Sequence, residues 1–234
     1  MTIPNFFQIL VMMSKISDKG IVLKETKKGE TDKILTVLFF TRGKLVVYAR
    51  GACKLKSKIG TACRLLTLSE FSIFEKGGLL AVSQANVIDS FYSVVMDYER
   101  YIWACFIVEV LDKTTPADIP FEVDCNHQNI FRLAVYALKA IRTHRSPKLC
   151  AAVFASRFAA MEGYAPENIT ANETVSFAYK FSVTEPIEKI FSFLMEENNI
   201  NLFFGKVIKF ITAASGSEIL SILAIDNINL KSER

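Results

Sequence analysis

Seven cations stand between residues 42 and 64 without one acidic residue among them: Arg42, Lys44, Arg50, Lys54, Lys56, Lys58 and Arg64. So many like charges on a short stretch repel one another unless a polyanion neutralises them. Lys24, Lys27 and Lys28 extend the same charge upstream. The chemistry to expect is therefore electrostatic capture of phosphates. Tyr48 sits among these cations and offers a ring on which a base could stack. An ordinary solvated strand face, with Tyr48 covering a neighbour, is the competing reading of the same residues.

No catalytic constellation competes with this. His127 and His144 lie 17 residues apart with no ligand spacing between them, which favours surface or capping roles. Nucleophile-elbow, phosphate-loop and zinc-protease motifs are all missing. Gly77-Gly78 is followed by a strand pattern, where a phosphate loop would need a helix. Asp97, Glu99 and Glu109 share one helical stretch and read as a solvated face. The chain is expected not to be an enzyme and to need no cofactor.

The elements that must carry the cations come from periodicity. Gly20–Glu25, Lys33–Thr41, Lys44–Arg50, Cys63–Lys76 and Leu79–Ile88 read as strands, with turns at residues 27–30, 42–43 and 77–78. Alternation places Leu45, Val47 and Ala49 on the core face of the third strand, and Lys44, Val46, Tyr48 and Arg50 outward. Lys54, Lys56 and Lys58 recur at every second position, so an extended segment would point them to one side. Gly51 and Gly60 bracket that segment, which is expected to become ordered on its polyanion. Five short antiparallel strands suit a small closed barrel, an OB-fold or an SH3-like barrel.

After Asp89 the period becomes helical. Helices are expected over Ser90–Asp112, Gln128–Thr143 and from the Ser146-Pro147 cap to Glu162, with Gly163 as C-cap. Residues 164–185 are polar and turn-rich, with room for a short hairpin. Pro186–Asn198, Leu202–Ala214 and Ser217–Ile225 are expected to complete a helical bundle. The fold class is thus multidomain α+β: a five-stranded β-barrel domain over residues 1–89, then an α-helical domain over residues 90–234.

Composition agrees with a folded chain. Of 234 residues, 51% are apolar and 22% charged, and 19 are Phe, enough for a sizeable core. The net charge of +4 conceals a division. Residues 1–64 hold 13 Lys and Arg against four acidic residues, a balance of +9, whereas the remainder holds 15 against 20, a balance of −5. A basic binding module joined to a mildly acidic one follows. The five cysteines are odd in number, widely spaced and lack a C-x-x-C pair, which disfavours disulfides and zinc knuckles and suits a reducing compartment. The apolar run Phe6–Met13 falls short of the ~20 residues a bilayer requires and suits an extra edge segment. The expected location is the cytoplasm.

Several motifs carry a resemblance. Gly20-Ile21-Val22-Leu23 is followed by Gly29-Glu30-Thr31-Asp32, then by Thr41-Arg42-Gly43-Lys44, then by Ala49-Arg50-Gly51-Ala52-Cys53-Lys54 with Lys56-Ser57-Lys58. Gln84-Ala85 with Ser90-Phe91, Phe154-Ala155-Ser156-Arg157 with Gly163-Tyr164-Ala165-Pro166, and the closing Leu230-Lys231-Ser232 continue it. Together they resemble the RecO family of recombination mediators over residues 19–234, most densely over the first 90. Two departures stand out. Lys28 replaces the aromatic that usually opens the G-E-x-D turn. No cysteine lies within residues 167–190, where many members carry a four-cysteine zinc element, so no metal is expected.

The resemblance implies an OB-fold first domain and a helical second domain. It implies binding of single- and double-stranded DNA, annealing of complementary strands, and loading of the recombinase onto coated single strands. The partners it implies are RecR and the single-strand DNA-binding protein, with no membrane, and it implies association with the nucleoid. The acidic, hydrophobic-ended tail of that second partner would need an apolar groove with a cation at its rim. Arg132, Lys139 and Arg157 are the candidate cations on the helices. Two alternatives remain at this level: an RNA-binding OB module, and an adaptor whose basic strip docks an acidic protein.

Overall fold

The computed structural model of the chain describes residues 16–116, 125–216 and 219–221. The Phe6–Met13 run and most of Ser217–Ile225 lie outside the described residues. Two compact units part between Ser90 and Phe91, and the first turn of the helix that begins at Cys125 groups with the first unit.

The first unit is a closed five-stranded barrel. Its strands are β1 (Ile16–Lys28), β2 (Asp32–Phe39), β3 (Gly43–Ala49), β4 (Leu68–Lys76) and β5 (Leu79–Asp89). They run in the order β1-β2-β3-β5-β4 around the barrel. The long first strand closes it by serving two neighbours: Ile16–Ile21 pair with β4, and Gly20 onward pairs with β2. The change of partner needs a bend, supplied by a bulge between Val22 and Lys24. At Gly20 the two pairings overlap, and a Cβ there would come within 2.5 Å of Val37 Cγ1. Only glycine lets the strands approach so closely.

Alternating residues fill the interior: Val22, Leu35, Val37, Phe39, Leu45, Val47, Ala49, Phe71 and Ile73 are all buried. Leu45, Val47 and Ala49 thus occupy the core face that alternation assigns them. Phe39 and Phe71 meet edge to face at 5.7 Å.

Two expectations need correction here. The fourth strand begins at Leu68, five residues later than expected. Residues 51–67 instead form a chain of tight turns, held by bonds such as Ser57 N–H to Lys54 O at 2.9 Å and Cys63 N–H to Ile59 O at 3.1 Å. Ala52, Ala62 and Cys63 from this segment are buried in the barrel core. The basic segment is therefore a folded plug and neither an extended strand nor a loop awaiting a ligand. Apolar side chains spaced ten residues apart gave no local period by which to see this.

The second unit is helical: α1 (Tyr92–Val95), α2 (Tyr98–Thr114), α3 (Cys125–Thr143), α4 (Pro147–Met161), α5 (Glu173–Thr184) and α6 (Glu197–Ser215). Helix α4 is its centre, buried along almost its whole length from Leu149 to Ala159. It packs against α2, α5 and α6. Ser146 caps it by accepting Leu149 N–H, with Pro147 in the first turn and Gly163 beyond its end at φ 80°.

The expected helix over Ser90–Asp112 is two helices, because Asp97 turns extended and caps α2 by accepting Arg100 N–H. Residues 164–185 hold α5 where turns and a hairpin were expected. Asn172 starts α5 by accepting Val175 N–H. Conversely, Pro186 to Glu196 is not helical, and α6 begins only at Glu197. Polar composition hid α5, whose buried face is only Val175, Ala178, Tyr179 and Ser182.

Candidate nucleic-acid interface

The cations gather around one end of the barrel, where β1 turns into β2 and β3 runs into the plug. Asp32 organises this end. Its carboxylate accepts the Tyr48 hydroxyl, Gly51 N–H at 2.8 Å and the Thr31 hydroxyl at 2.7 Å. Those bonds, the Tyr48 hydroxyl foremost, hold the Asp32 carboxyl down at about 2. The Tyr48 phenol is raised for the same reason. Cys53 N–H also donates to Thr31 O at 2.8 Å. The Asp32 carboxylate is thus spent internally, fastening the start of the plug to the β1–β2 turn. Gly51, at φ 71°, supplies the reversal that presents its N–H.

Asp32→Asn is therefore expected to loosen the plug. Amide exchange at Gly51 should speed up severalfold while exchange within β2 is retained. The carboxyl is lowered in the folded state. Its stabilising effect is thus complete above the ordinary carboxylate range and lost as pH falls toward about 2. The wild-type protection at Gly51 should fade over that acid window, and that of the Asn variant should not.

Two concavities flank this end. A cleft of about 380 Å³ is lined by Lys27, Lys33, Lys54, Leu55 and Arg64, among others. Lys33 is held by Glu25 and donates to Cys63 O at 3.2 Å, so its charge is largely answered. Lys27, Lys54 and Arg64 are exposed. Leu55 is fully exposed between two lysines. A groove of about 550 Å³ is lined by Lys28, Ile34, Lys44, Val46, Tyr48 and Leu79, among others. Val46 and Leu79 are 54% and 69% exposed, so this groove has apolar walls open to solvent.

The remaining expected residues divide. Lys24 is exposed on β1, opposite Thr36 and in the same row as Val46, with β2 between them. Arg50 is exposed and adds its charge beside Asp32. Lys56 and Lys58 are exposed on the plug and do not line the cleft. Lys44 points outward by register but is only 8% exposed, so it is a wall of the groove instead of a solvated charge. Arg42 sits at the β2–β3 turn, the length of β3 away, or about 20 Å at ~3.3 Å per residue. It is not among the residues that line the groove or the cleft. Alternation places Val46 outward beside Tyr48, whereas Lys33, Leu55 and Leu79 carry no expectation of a site. An isolated apolar residue within a basic run, as at Leu55, is the one signal that was available.

On the helical unit the three candidate rim cations do not converge. Arg132 is paired with Glu188 at 2.8 Å. Arg157 is half-buried and donates to Val183 O, tying α4 to the end of α5, and burial lowers its guanidinium from the usual range. Lys139 is exposed. A pocket of about 580 Å³ in this unit is lined by Glu99, His144, Arg145, Leu194 and Glu196, among others, and by none of the three. His144 accepts Ser146 N–H at 3.0 Å and its other ring nitrogen lies 3.0 Å from Phe193 O, so the ring joins two chain segments. Glu109 accepts Leu220 N–H at 2.7 Å and pairs with Lys113, so its carboxylate is engaged within the helical unit. Among the described residues no cluster of His, Cys, Asp or Glu could hold a metal ion.

The barrel has a sequence signature that settles its kinship. The family described as "Recombination protein O N terminal" matches residues 13–91, which is the barrel through Phe91. The barrel is a RecO-family N-terminal domain. Proteins named DNA repair protein RecO extend the likeness into the helices. One from Acetivibrio thermocellus is 32% identical over 154 residues, which is 66% of this chain and 59% of that protein. One from Caldicellulosiruptor bescii is 28% identical, over 65% of this chain and 60% of its own length. One from Listeria monocytogenes serotype 4b is 30% identical, over 63% and 56%. The chain thus spans rather more than half the length of these relatives. On a RecO barrel, the groove occupies the β2–β3 face between the β1–β2 and β4–β5 turns, the region through which OB-folds bind oligonucleotides. Among the described residues no helix is long and apolar enough to cross a membrane.

Proposed function

We propose that this chain is a non-catalytic DNA repair and recombination mediator. It binds single- and double-stranded DNA through the barrel, anneals complementary strands, and helps load the recombinase onto coated single strands. The observation that carries this is the placement of exposed cations around an apolar-walled groove on the OB oligonucleotide face. Cations neutralise phosphates and release counterions, while the Tyr48 ring and the Val46 and Leu79 walls receive unstacked bases. The relatives' name, DNA repair protein RecO, supports the same reading.

RecR and the acidic tail of the single-strand DNA-binding protein are the partners assigned to the helical unit. With Arg132 and Arg157 engaged in the contacts above, Lys139 is the cation assigned to the tail. The working compartment is the cytoplasm, at the nucleoid.

The test is strand annealing by the purified chain, together with affinities for matched DNA and RNA oligonucleotides. Annealing with DNA bound at least as well as RNA is expected. Tighter binding of RNA would favour an RNA-binding OB module instead. Binding of no oligonucleotide at low salt would favour a protein adaptor.

Tyr48 offers a finer test. Stacking is worth about 1–3 kcal/mol per base, so Tyr48→Ala should weaken oligothymidylate binding by roughly 5- to 150-fold. Tyr48→Phe keeps the ring, loses only the bond to Asp32, and should bind within severalfold of wild type. Unchanged binding by Tyr48→Ala would remove Tyr48 from the interface.

A further inference from the structure

We propose that the barrel holds two nucleic-acid strands at once, one in the groove and one in the cleft, on opposite faces of the same β1–β2 ribbon. The proposal rests on the nucleic-acid reading above and adds a second binding track to it.

The geometry follows from register. Neighbouring residues on a strand point to opposite faces, and directly paired residues share one. Lys27 pairs with Lys33, and both line the cleft. Ile34 pairs with Tyr48, and both line the groove. Lys28, next to Lys27, lines the groove as well. Parity therefore divides the two concavities: Lys27 and Lys33 face the core side, where the plug packs, and Lys28, Ile34 and Tyr48 face outward. A single extended strand could occupy both only by crossing the ribbon's edge.

Each track has its own means of binding. Among the described residues that line them, neither concavity has an acidic one; Asp32 and Glu25 stand behind the lining, bonded to Tyr48 and Lys33. The cleft offers three exposed cations, Lys27, Lys54 and Arg64, with Leu55 at its rim. That set suits a phosphate backbone. The groove offers Lys28 with Val46, Tyr48 and Leu79, which suits unstacked bases. Asp32 fixes one track relative to the other, since its carboxylate holds Tyr48 of the groove wall and Gly51 at the root of the plug. The two strands would lie on either side of a single sheet layer. Two polyanions brought so close repel unless cations stand on both sides, and this arrangement supplies them. It gives a small barrel the means to hold complementary strands side by side before they pair.

The test is oligonucleotide stoichiometry on the full chain. The probe is oligothymidylate of about eight nucleotides, within the roughly 4–16 that one OB-fold covers. Oligothymidylate cannot pair with itself, so any second strand bound needs a second track. Wild type should bind two per chain, and a mixture of donor- and acceptor-labelled probe should show energy transfer. Lys28→Glu with Leu79→Asp, and separately Lys54→Glu with Arg64→Glu, change only exposed side chains. Each pair should leave one oligonucleotide bound, abolish energy transfer, and slow annealing of complementary strands by about tenfold or more.

One oligonucleotide per chain, weakened by both pairs, would overturn the two-track arrangement and leave the nucleic-acid reading standing. Two per chain in wild type and in both variants would overturn the assigned locations. No binding at all at low salt would overturn both readings.

Discussion

A chain carrying Lys54→Glu, Lys56→Glu and Lys58→Glu together is expected to lose affinity for single-stranded DNA by roughly a hundredfold at low salt, and to lose annealing with it. All three lysines are exposed on the plug, and among the described residues none makes an ion pair. Their replacement removes no buried contact, so the folded barrel should survive with its thermal midpoint little changed. What changes is the field: three cations become three anions on the plug, one of them in the lining of the cleft. Each lost phosphate contact lowers the slope of log affinity against log salt by about 0.7 on single strands, so the slope should fall by about 2. That change in slope separates lost phosphate contacts from general misfolding, which would reduce the bound fraction at every salt concentration. A triple variant that binds and anneals like wild type would show that the plug lies outside the interface.

Phe71→Ala should cost the barrel about 3–5 kcal/mol. Domains of this kind are stable by only about 5–15 kcal/mol, so the variant should be near the limit of folding. Phe71 is fully buried and packs edge to face on Phe39. Its position raises the cost. On β4 it pairs with Asp18 of β1 on one side and Ala85 of β5 on the other, so it sits where the barrel closes. A cavity there loosens the strands on both sides. Phe71→Leu should recover most of the loss by refilling the space. Denaturant titration followed by far-UV circular dichroism checks this. The single tryptophan, Trp103, is on α2 and reports the helical unit, so it is the wrong probe for the barrel. A midpoint unchanged by Phe71→Ala would contradict the closed packing. Oligonucleotide binding should fall in step with the folded fraction, because groove and cleft exist only when β1, β2 and β3 are in register.

The same dependence explains which parts of the molecule could be read from the chain alone. Local period carried the barrel well: alternation in β3 marks Leu45, Val47 and Ala49 as interior, and all three are buried. It carried the start of α4 as well, where Ser146 and Pro147 spell a cap. It failed where polar faces dominate, as in α5, and where a cap interrupts an apolar run, as at Asp97.

The amino-acid sequence by itself determined a five-stranded barrel followed by helices, the concentration of cations near its third strand, and the motifs of the family. Each of these is written in neighbouring residues. Only the tertiary structure decided which cations lie together. Lys44 has the outward parity of Tyr48 yet is covered, and Arg42 is close in sequence yet lies at the far end of β3. Lys27 and Lys28 are adjacent yet line different concavities. The basic stretch is a plug because Ala52, Ala62 and Cys63 find the open end of the barrel, and because Asp32 ties its first residue to a turn 19 positions earlier. These assignments depend on strand register and on contacts between residues far apart in the chain. A one-residue shift in register would exchange the two faces and their charges, and nothing in local composition records that choice.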